Sequence, residues 1–396
     1  MLRPDTFALT ALLAFLTSFG PLSVDLYLPS MPAIAEALAA PPAHVQLTIS
    51  LYLVGFAIGQ IIYGPISDRV GRKPVIIISF ALYCAATLIC LVAASIAVLV
   101  AGRFLQALGV SGAVVVVRAV VRDMYEGARA GRQLSSMSML MGFAPIIAPI
   151  SGGVLQTVFG WRAGFVFLIA LGALAGTLTW RYLPETHQAR AAMSFAGLVR
   201  NYCRVARHQI FLANLAIGAV AYGGLFAWIA GSSFVLQSVF SFSPLAYAVA
   251  YAASCLGFIF GSTLATRLVM RLGLDRTSGL GALACTIAAG GMLAGAAGLY
   301  PEAILIGAMA FYFLGLGLLQ SQTVAAALTP FPNDAGTASA LIGFAQQCAG
   351  AIVGGTVGAL IGNSVWPMSI AVAVSGGGAL VLWILTRGVR IGKAVR

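Results

Sequence analysis

Asp25 is the one acidic side chain among ten that falls inside a long apolar segment; the rest lie in connections or at segment ends. A carboxylate in the hydrocarbon region costs about 2.5–3.5 kcal/mol on insertion scales, so such groups are rare and usually functional. A buried acid that faces a water-filled path can bind and release a proton, the minimum chemistry for coupling a proton gradient to other work. Arg103 is the matching base, placed inside another apolar segment. Opposite charges at similar depth reduce each other's burial cost, which makes the two natural partners.

The elements that must carry these charges follow from composition. The chain has 396 residues, of which 60% are hydrophobic and only 8% charged. A soluble domain would carry about 25% charged residues. Twelve apolar stretches can be marked off, each near 20 residues, enough to cross the hydrocarbon core as a helix. The long polar connection at 183–209 separates a six-helix bundle at 1–182 from a second at 210–396. The expected fold is therefore an all-α polytopic membrane protein of two pseudo-symmetric halves.

The net charge of +12 could suggest a nucleic-acid partner, but its placement argues otherwise. With a cytoplasmic N-terminus, all but two of the 22 Lys and Arg fall inside; Arg162 lies outside and Arg103 within a span. That bias is a topology signal, and it places both termini in the cytoplasm. The first apolar run is read as a retained helix, since no clear cleavage site follows it. Six cysteines and three histidines show no disulfide or metal spacing. An enzyme would need a nucleophile or a cluster of acids and histidines at one depth, and none is present.

Three further patterns carry mechanism. In the loop GPISDRVGRKP, Gly64 and Gly71 allow a tight turn while Asp68 stands among Arg69, Arg72 and Lys73. An acid at a helix end can form a bridge that opens and closes. Gly261, Arg267, Arg271 and Gly273 echo this loop in the second half, with Thr266 where Asp68 would stand. In GFAPIIAPISGG, Pro145 and Pro149 should each delete a helix hydrogen bond and bend the axis, while Gly142, Gly152 and Gly153 permit close packing. Small-residue stripes at Gly350, Gly354, Gly358 and Gly362, at Gly257 and Gly261, and at Gly291 and Gly295 suit close helix contact.

The 2–3 loop resembles the signature of the major facilitator superfamily, where it forms a cytoplasmic gate. Arg103, Gln106 and Gly109 resemble that superfamily's proton-antiporter motif of span 4, and the segment from Gly142 to Gly153 resembles its antiporter motif of span 5. PLSVDLYLPSMPAI at Pro21 to Ile34, the span-2 run from Gln46 to Asp68, VRDMY at Val121 to Tyr125 and NDAGTASAL at Asn333 to Leu341 resemble one subfamily closely. It comprises the bicyclomycin/chloramphenicol-resistance drug:proton antiporters of bacteria, and the likeness covers essentially the whole chain. The resemblance implies export of small amphiphilic drugs across the bacterial inner membrane by alternating access. It implies no cofactor beyond the proton motive force, and a monomer. Some related exporters carry a second acid two turns before this one; here Leu16, Thr17 and Ser18 occupy that stretch, so one membrane acid must serve.

The drug pocket is expected near the midplane between the halves. Tyr27, Tyr52, Gln60, Phe143, Tyr222, Phe226, Trp228, Gln346 and Gln347 are candidate lining groups, because aromatics with a few polar groups suit amphiphilic compounds. A proton-coupled transporter of a metabolite or small peptide, working even as an uptake system, would use the same fold and acid.

Overall fold

The computed structural model describes residues 6–125, 127–186, 195–298, 301–331, 334–362 and 364–391, and among them helices are the only regular elements. Hydrocarbon offers no hydrogen-bond partners, so a spanning segment must satisfy its backbone internally, and the helix does this within one segment. Among the described residues eleven helices are long and apolar enough to cross a membrane. One of them, Pro244–Ala296, runs for 53 residues and is broken at Gly273, so it supplies two crossings and the total reaches twelve.

The chain divides into two compact units, Met1–Met193 and Ser194–Arg396. The first holds α1 (Phe7–Asp25), α2 (Met31–Ala37), α3 (Pro42–Val70), α4 (Arg72–Leu91), α5 (Ile96–Met124), α6 (Gly127–Met141), α7 (Ala144–Phe159) and α8 (Arg162–Tyr182). Its core is aromatic: Phe19 meets Phe80 and Tyr83 edge-on, with centroids 4.9 and 5.4 Å apart. Outward-facing groups such as Phe159 and Val158 are exposed and apolar, as a lipid-facing surface requires.

The second unit holds α9 (Phe195–Ala206), α10 (Gln209–Phe234), α11 (Pro244–Ala296), α12 (Pro301–Leu328), α13 (Ala335–Leu360), α14 (Trp366–Leu385) and α15 (Arg387–Ile391). Ile217, Ala221, Ala282, Leu316, Leu319 and Ala379 form its central core. The short helix α9, from the polar connection, is pinned to this unit. Val205 is buried with Phe211, Phe331 and Ala338, and Asn201 Nδ2 donates to Asp334 Oδ1 at 2.8 Å.

The expected duplication is visible in the backbone. Gly71 (φ 108°, ψ 157°) separates α3 from α4, and Gly273 (φ 78°, ψ 173°) separates the two arms of α11. Only glycine occupies this region without strain. Each half therefore turns between its second and third crossings by the same device. Thr266, in the position of Asp68, donates to the local Thr263 carbonyl at 2.7 Å.

Two expectations change. Pro145 does not bend a continuous helix. The chain breaks at Gly142–Phe143, and Pro145 lies in the first turn of α7, where its missing N–H would have been unpaired anyway. Only Pro149 is interior. Gly362 does not extend the α13 stripe, because the helix ends at Leu360 and Gly362 turns the chain at φ 38°. The stripe in the first arm of α11 does pack closely: a Cβ on Gly257 or Gly261 would lie 2.0 or 2.1 Å from the carbonyl oxygens of Ala310 and Leu314 on α12. Asn333, part of one quoted motif, lies outside the described residues.

Candidate functional site

The end of α1 is built to receive a cation. Leu26 N–H still bonds Leu22 in the helical pattern, but Tyr27 N–H turns to Val24 at 3.1 Å. Pro29 then enters a short 3-10 turn, Leu28–Ser30. The Ser23 carbonyl thereby loses its helical partner, at the end of the helix where the backbone dipole is negative. Arg103 Nη1, from α5, donates to that carbonyl at 3.0 Å. Asp25, two residues further on, is the last residue of α1 and is 4% exposed. Arg103 is fully buried. The structure thus places the membrane acid and the membrane base at the same end of the same helix, with the arginine anchored on backbone.

A chain of hydrogen bonds fixes the guanidinium. Nη1 also donates to Gln106 Oε1 at 2.6 Å, Gln106 Nε2 donates to Thr87 Oγ1 at 2.8 Å, and Thr87 Oγ1 donates to the Tyr83 carbonyl at 2.6 Å. Ser23 Oγ donates to the Phe19 carbonyl at 2.7 Å, which leaves Tyr83 Oη as the donor in their 2.8 Å contact. Arg103 therefore sits among groups from α1, α4 and α5. Sequence reasoning singled out Arg103 and Gln106 but missed Ser23, Tyr83 and Thr87. Single polar residues on apolar helices were the signal, but it does not say which of them converge.

The span-5 segment meets the same place. A Cβ on Gly152 would lie 2.1 Å from the Leu26 carbonyl oxygen, so the α7 backbone rests directly on the residue after Asp25. Gly142 lies at the break before α7, and Gly153 is buried beside Gly152.

The loop between α3 and α4 forms a compact charge network. Arg72 Nη1 donates to Asp68 Oδ1 at 2.5 Å and to Ser67 Oγ at 2.6 Å, and its Nε donates to Asp123 Oδ2 at 2.9 Å. Arg72 is buried, whereas Arg69 is exposed. Gly71 has no side chain to cap α4, and Glu185 does this from beyond α8. Its two carboxylate oxygens accept from the backbone N–H groups of Arg72 and Lys73 at 3.0 and 3.1 Å. Neither acid was assigned a role from sequence: Asp123, in the quoted VRDMY run, falls in the last turn of α5, and Glu185 lies in a polar connection, where acids are ordinary. A Cβ on Gly64 would meet nothing within 4 Å, so this position is not held by packing.

The lining candidates scatter. Tyr27 and Tyr52 are buried against Arg103, whose guanidinium carbon lies 4.6 and 4.4 Å from their ring centroids. Gln60, Phe226 and Trp228 are buried. Tyr222 and Phe226 pack with centroids 5.2 Å apart. Phe143 is 54% exposed at the break before α7. Gln347 is buried on α13, its Oε1 lacking a hydrogen-bond donor among the described residues, and Gln346 beside it is half-buried. No group of three or more His, Cys, Asp or Glu suited to a metal occurs among the described residues.

Twelve crossings in two units, with buried charges and a loop network among the described residues, define a multi-pass membrane protein. The chain belongs to the Major Facilitator Superfamily, whose family model matches residues 13–355. It is 30% identical over 372 residues to a bicyclomycin resistance protein homolog of Haemophilus influenzae, covering 92% of each chain. It is 29% identical to multidrug resistance protein D of Escherichia coli, covering 88% of this chain and 87% of that one. Among solved structures it resembles a D-xylose-proton symporter, with a TM-score of 0.74 at 17% identity and coverage of 95% and 97%. It also resembles a peptide transporter, with a TM-score of 0.79 at 14% identity and coverage of 96% and 94%. At these identities the structural likeness speaks for the fold alone.

Proposed function

We propose that this protein exports small amphiphilic, phenicol- or bicyclomycin-like drugs across the bacterial inner membrane in exchange for protons. The observation that carries the reading is the buried acid Asp25 at the end of α1, two residues beyond the carbonyl on which the fully buried Arg103 is anchored. The names of the Haemophilus influenzae and Escherichia coli relatives support drug export over nutrient uptake. In this mechanism Asp25 is deprotonated while the substrate site faces the cytoplasm and a drug binds. Opening to the outside releases the drug, and Asp25 then takes up a proton. Substrate and proton compete for one site, so neither crosses alone. One charge moving through 100 mV is worth about 2.3 kcal/mol, so one proton sustains roughly a fifty-fold drug gradient, and a pH gradient adds to it. The Arg72 network with Asp68 and Asp123 serves as the cytoplasmic gate, and both termini are cytoplasmic.

The test uses inverted membrane vesicles energised to an acidic interior, with wild type and Asp25→Asn. A rise in interior pH on adding chloramphenicol or a related compound, lost in the variant, is the expected result. A response that survives the substitution refutes Asp25 as the coupling acid. A response to a sugar, peptide or other metabolite in place of drugs would reassign the substrate class.

A further inference from the structure

Arg103 poses a problem that its hydrogen bonds do not solve. It is fully buried, yet only Nη1 has hydrogen-bond acceptors; Nε and Nη2 have none among the described residues. A buried cation without compensation is costly. Beside the charge of Asp25 at the same helix end, two aromatic rings supply compensation. The guanidinium carbon is 4.6 Å from the Tyr27 centroid and 4.4 Å from that of Tyr52, so the cation has an electron-rich face on each of two sides.

We propose that Tyr27 and Tyr52 are positioning residues, a two-ring clamp that holds the Arg103 guanidinium at the Asp25 end of α1 through their faces, and that they do not serve as contacts for the transported compound. The proposal rests on the reading of Arg103 as partner of the coupling acid. Three observations favour it. Both rings are buried, so neither offers surface to a ligand. Both hydroxyls are already used: Tyr27 Oη lies 2.9 Å from Thr48 Oγ1, whose own proton goes to the Val45 carbonyl at 2.6 Å, and Tyr52 Oη donates to the Gly20 carbonyl at 3.3 Å. Each ring also packs on a second aromatic, Tyr27 with Phe165 of α8 at 6.0 Å between centroids and Tyr52 with Phe56 at 6.4 Å. The two rings also belong to different elements. Tyr27 follows α1 and Tyr52 lies in the middle of α3, so the clamp ties the acid-bearing end of α1 to α3 through the charge. A lysine would replace the planar guanidinium fork with a compact point charge on a flexible stem and lose the bond pattern held by Nη1.

The test removes the electron density of the rings while keeping their shape. Phenylalanine, then phenylalanines bearing one, two and three fluorines, are placed at 27 or at 52 in the full chain, in both the Arg103 and the Arg103→Met backgrounds. Melting of the detergent-solubilised protein is followed without any ligand. Tyr27→Phe and Tyr52→Phe should melt close to wild type. Each added fluorine should then lower the melting temperature stepwise with Arg103 present and leave it flat with Arg103→Met. Equal slopes in the two backgrounds, or no slope in either, would reduce the tyrosines to ordinary packing and overturn the proposal. A Phe variant that melts as low as the corresponding Leu variant would do the same by assigning the role to the hydroxyl. The series decides the clamp whether or not Asp25→Asn abolishes antiport, so failure of one reading is separable from failure of the other.

Discussion

Replacing Gly152 with alanine should injure this protein through a direct clash with backbone. The added Cβ would stand 2.1 Å from the Leu26 carbonyl oxygen, 2.9 Å from its carbon and 3.1 Å from its Cα. Normal contact needs about 3.2 Å or more, so α7 and the turn after α1 must separate by roughly 1 Å, and the obstacle is backbone, which cannot rotate aside. Overpacking of this kind costs about 1–3 kcal/mol, and a backbone obstacle puts the cost near 3 kcal/mol. For a unit of this size that corresponds to a fall of roughly 6–12 °C in melting temperature. The assay uses the buried thiols Cys90, Cys255 and Cys285, which a thiol-sensitive fluorophore reaches on unfolding, after the exposed Cys203 and half-buried Cys84 and Cys348 are replaced by serine. Gly176→Ala is the control, because its nearest new contact is Phe80 Cβ at 3.6 Å, ordinary van der Waals distance. It should melt at or slightly above wild type, since alanine favours the helix. Drug-evoked proton movement should fall along with stability in Gly152→Ala, because Leu26 follows Asp25 directly. If Gly152→Ala melts within about 2 °C of Gly176→Ala, the close approach of α7 to the end of α1 is wrong and so is the structural role given to this motif.

Gly71→Ala should cost at least about 1–3 kcal/mol from its φ of 108° alone, and more because the new Cβ would meet Glu185 Oε2 at 2.7 Å; a melting temperature equal to wild type would refute this. Glu185→Gln leaves only one oxygen for the two N–H groups that start α4, so amide exchange at Arg72 or Lys73 should rise about tenfold by hydrogen–deuterium exchange, and unchanged protection at both sinks the capping role. Arg390, 3% exposed in its side chain, bridges Asp275 and the Trp383 carbonyl, whereas Arg204, 62% exposed, pairs with Asp334 at 2.5 Å. Arg390→Ala should therefore destabilise by about 1–3 kcal/mol and Arg204→Ala by less than about 1 kcal/mol; the reverse order in thermal melting would overturn the distinction.

The fold was almost wholly legible because the bilayer imposes its terms on each segment separately. A run of about 20 apolar residues must be a helix wherever it lies, and the sidedness of arginine and lysine orders the runs without reference to packing. The same locality explains the errors. Whether Pro145 bends a helix or begins one depends on where the preceding helix stops, and the sequence GFAP allows either. Gly362 continues a period of four in the sequence although the helix has already ended at Leu360.

The site was legible in part, and the division is physical. A lone acid or base in a span is conspicuous because its cost is intrinsic to the residue, so Asp25 and Arg103 stand out with no knowledge of neighbours. What those charges touch is a property of helices distant in sequence. Ser23, Tyr83 and Thr87 are unremarkable polar residues until packing gathers α1, α4 and α5 around one guanidinium. Tyr27 and Tyr52 read equally well as pocket-lining aromatics or as packing, and only their distance from Arg103 gives them another role. Glu185 looks like a solvated loop acid until it is seen capping a helix more than 100 residues away in sequence. By itself the sequence determined the class of protein, the twelve crossings and the two buried charges, because insertion into a bilayer prices each segment on its own composition. Only the tertiary structure decided which groups hold those charges, because contact energies depend on distance in space and the sequence records only distance along the chain.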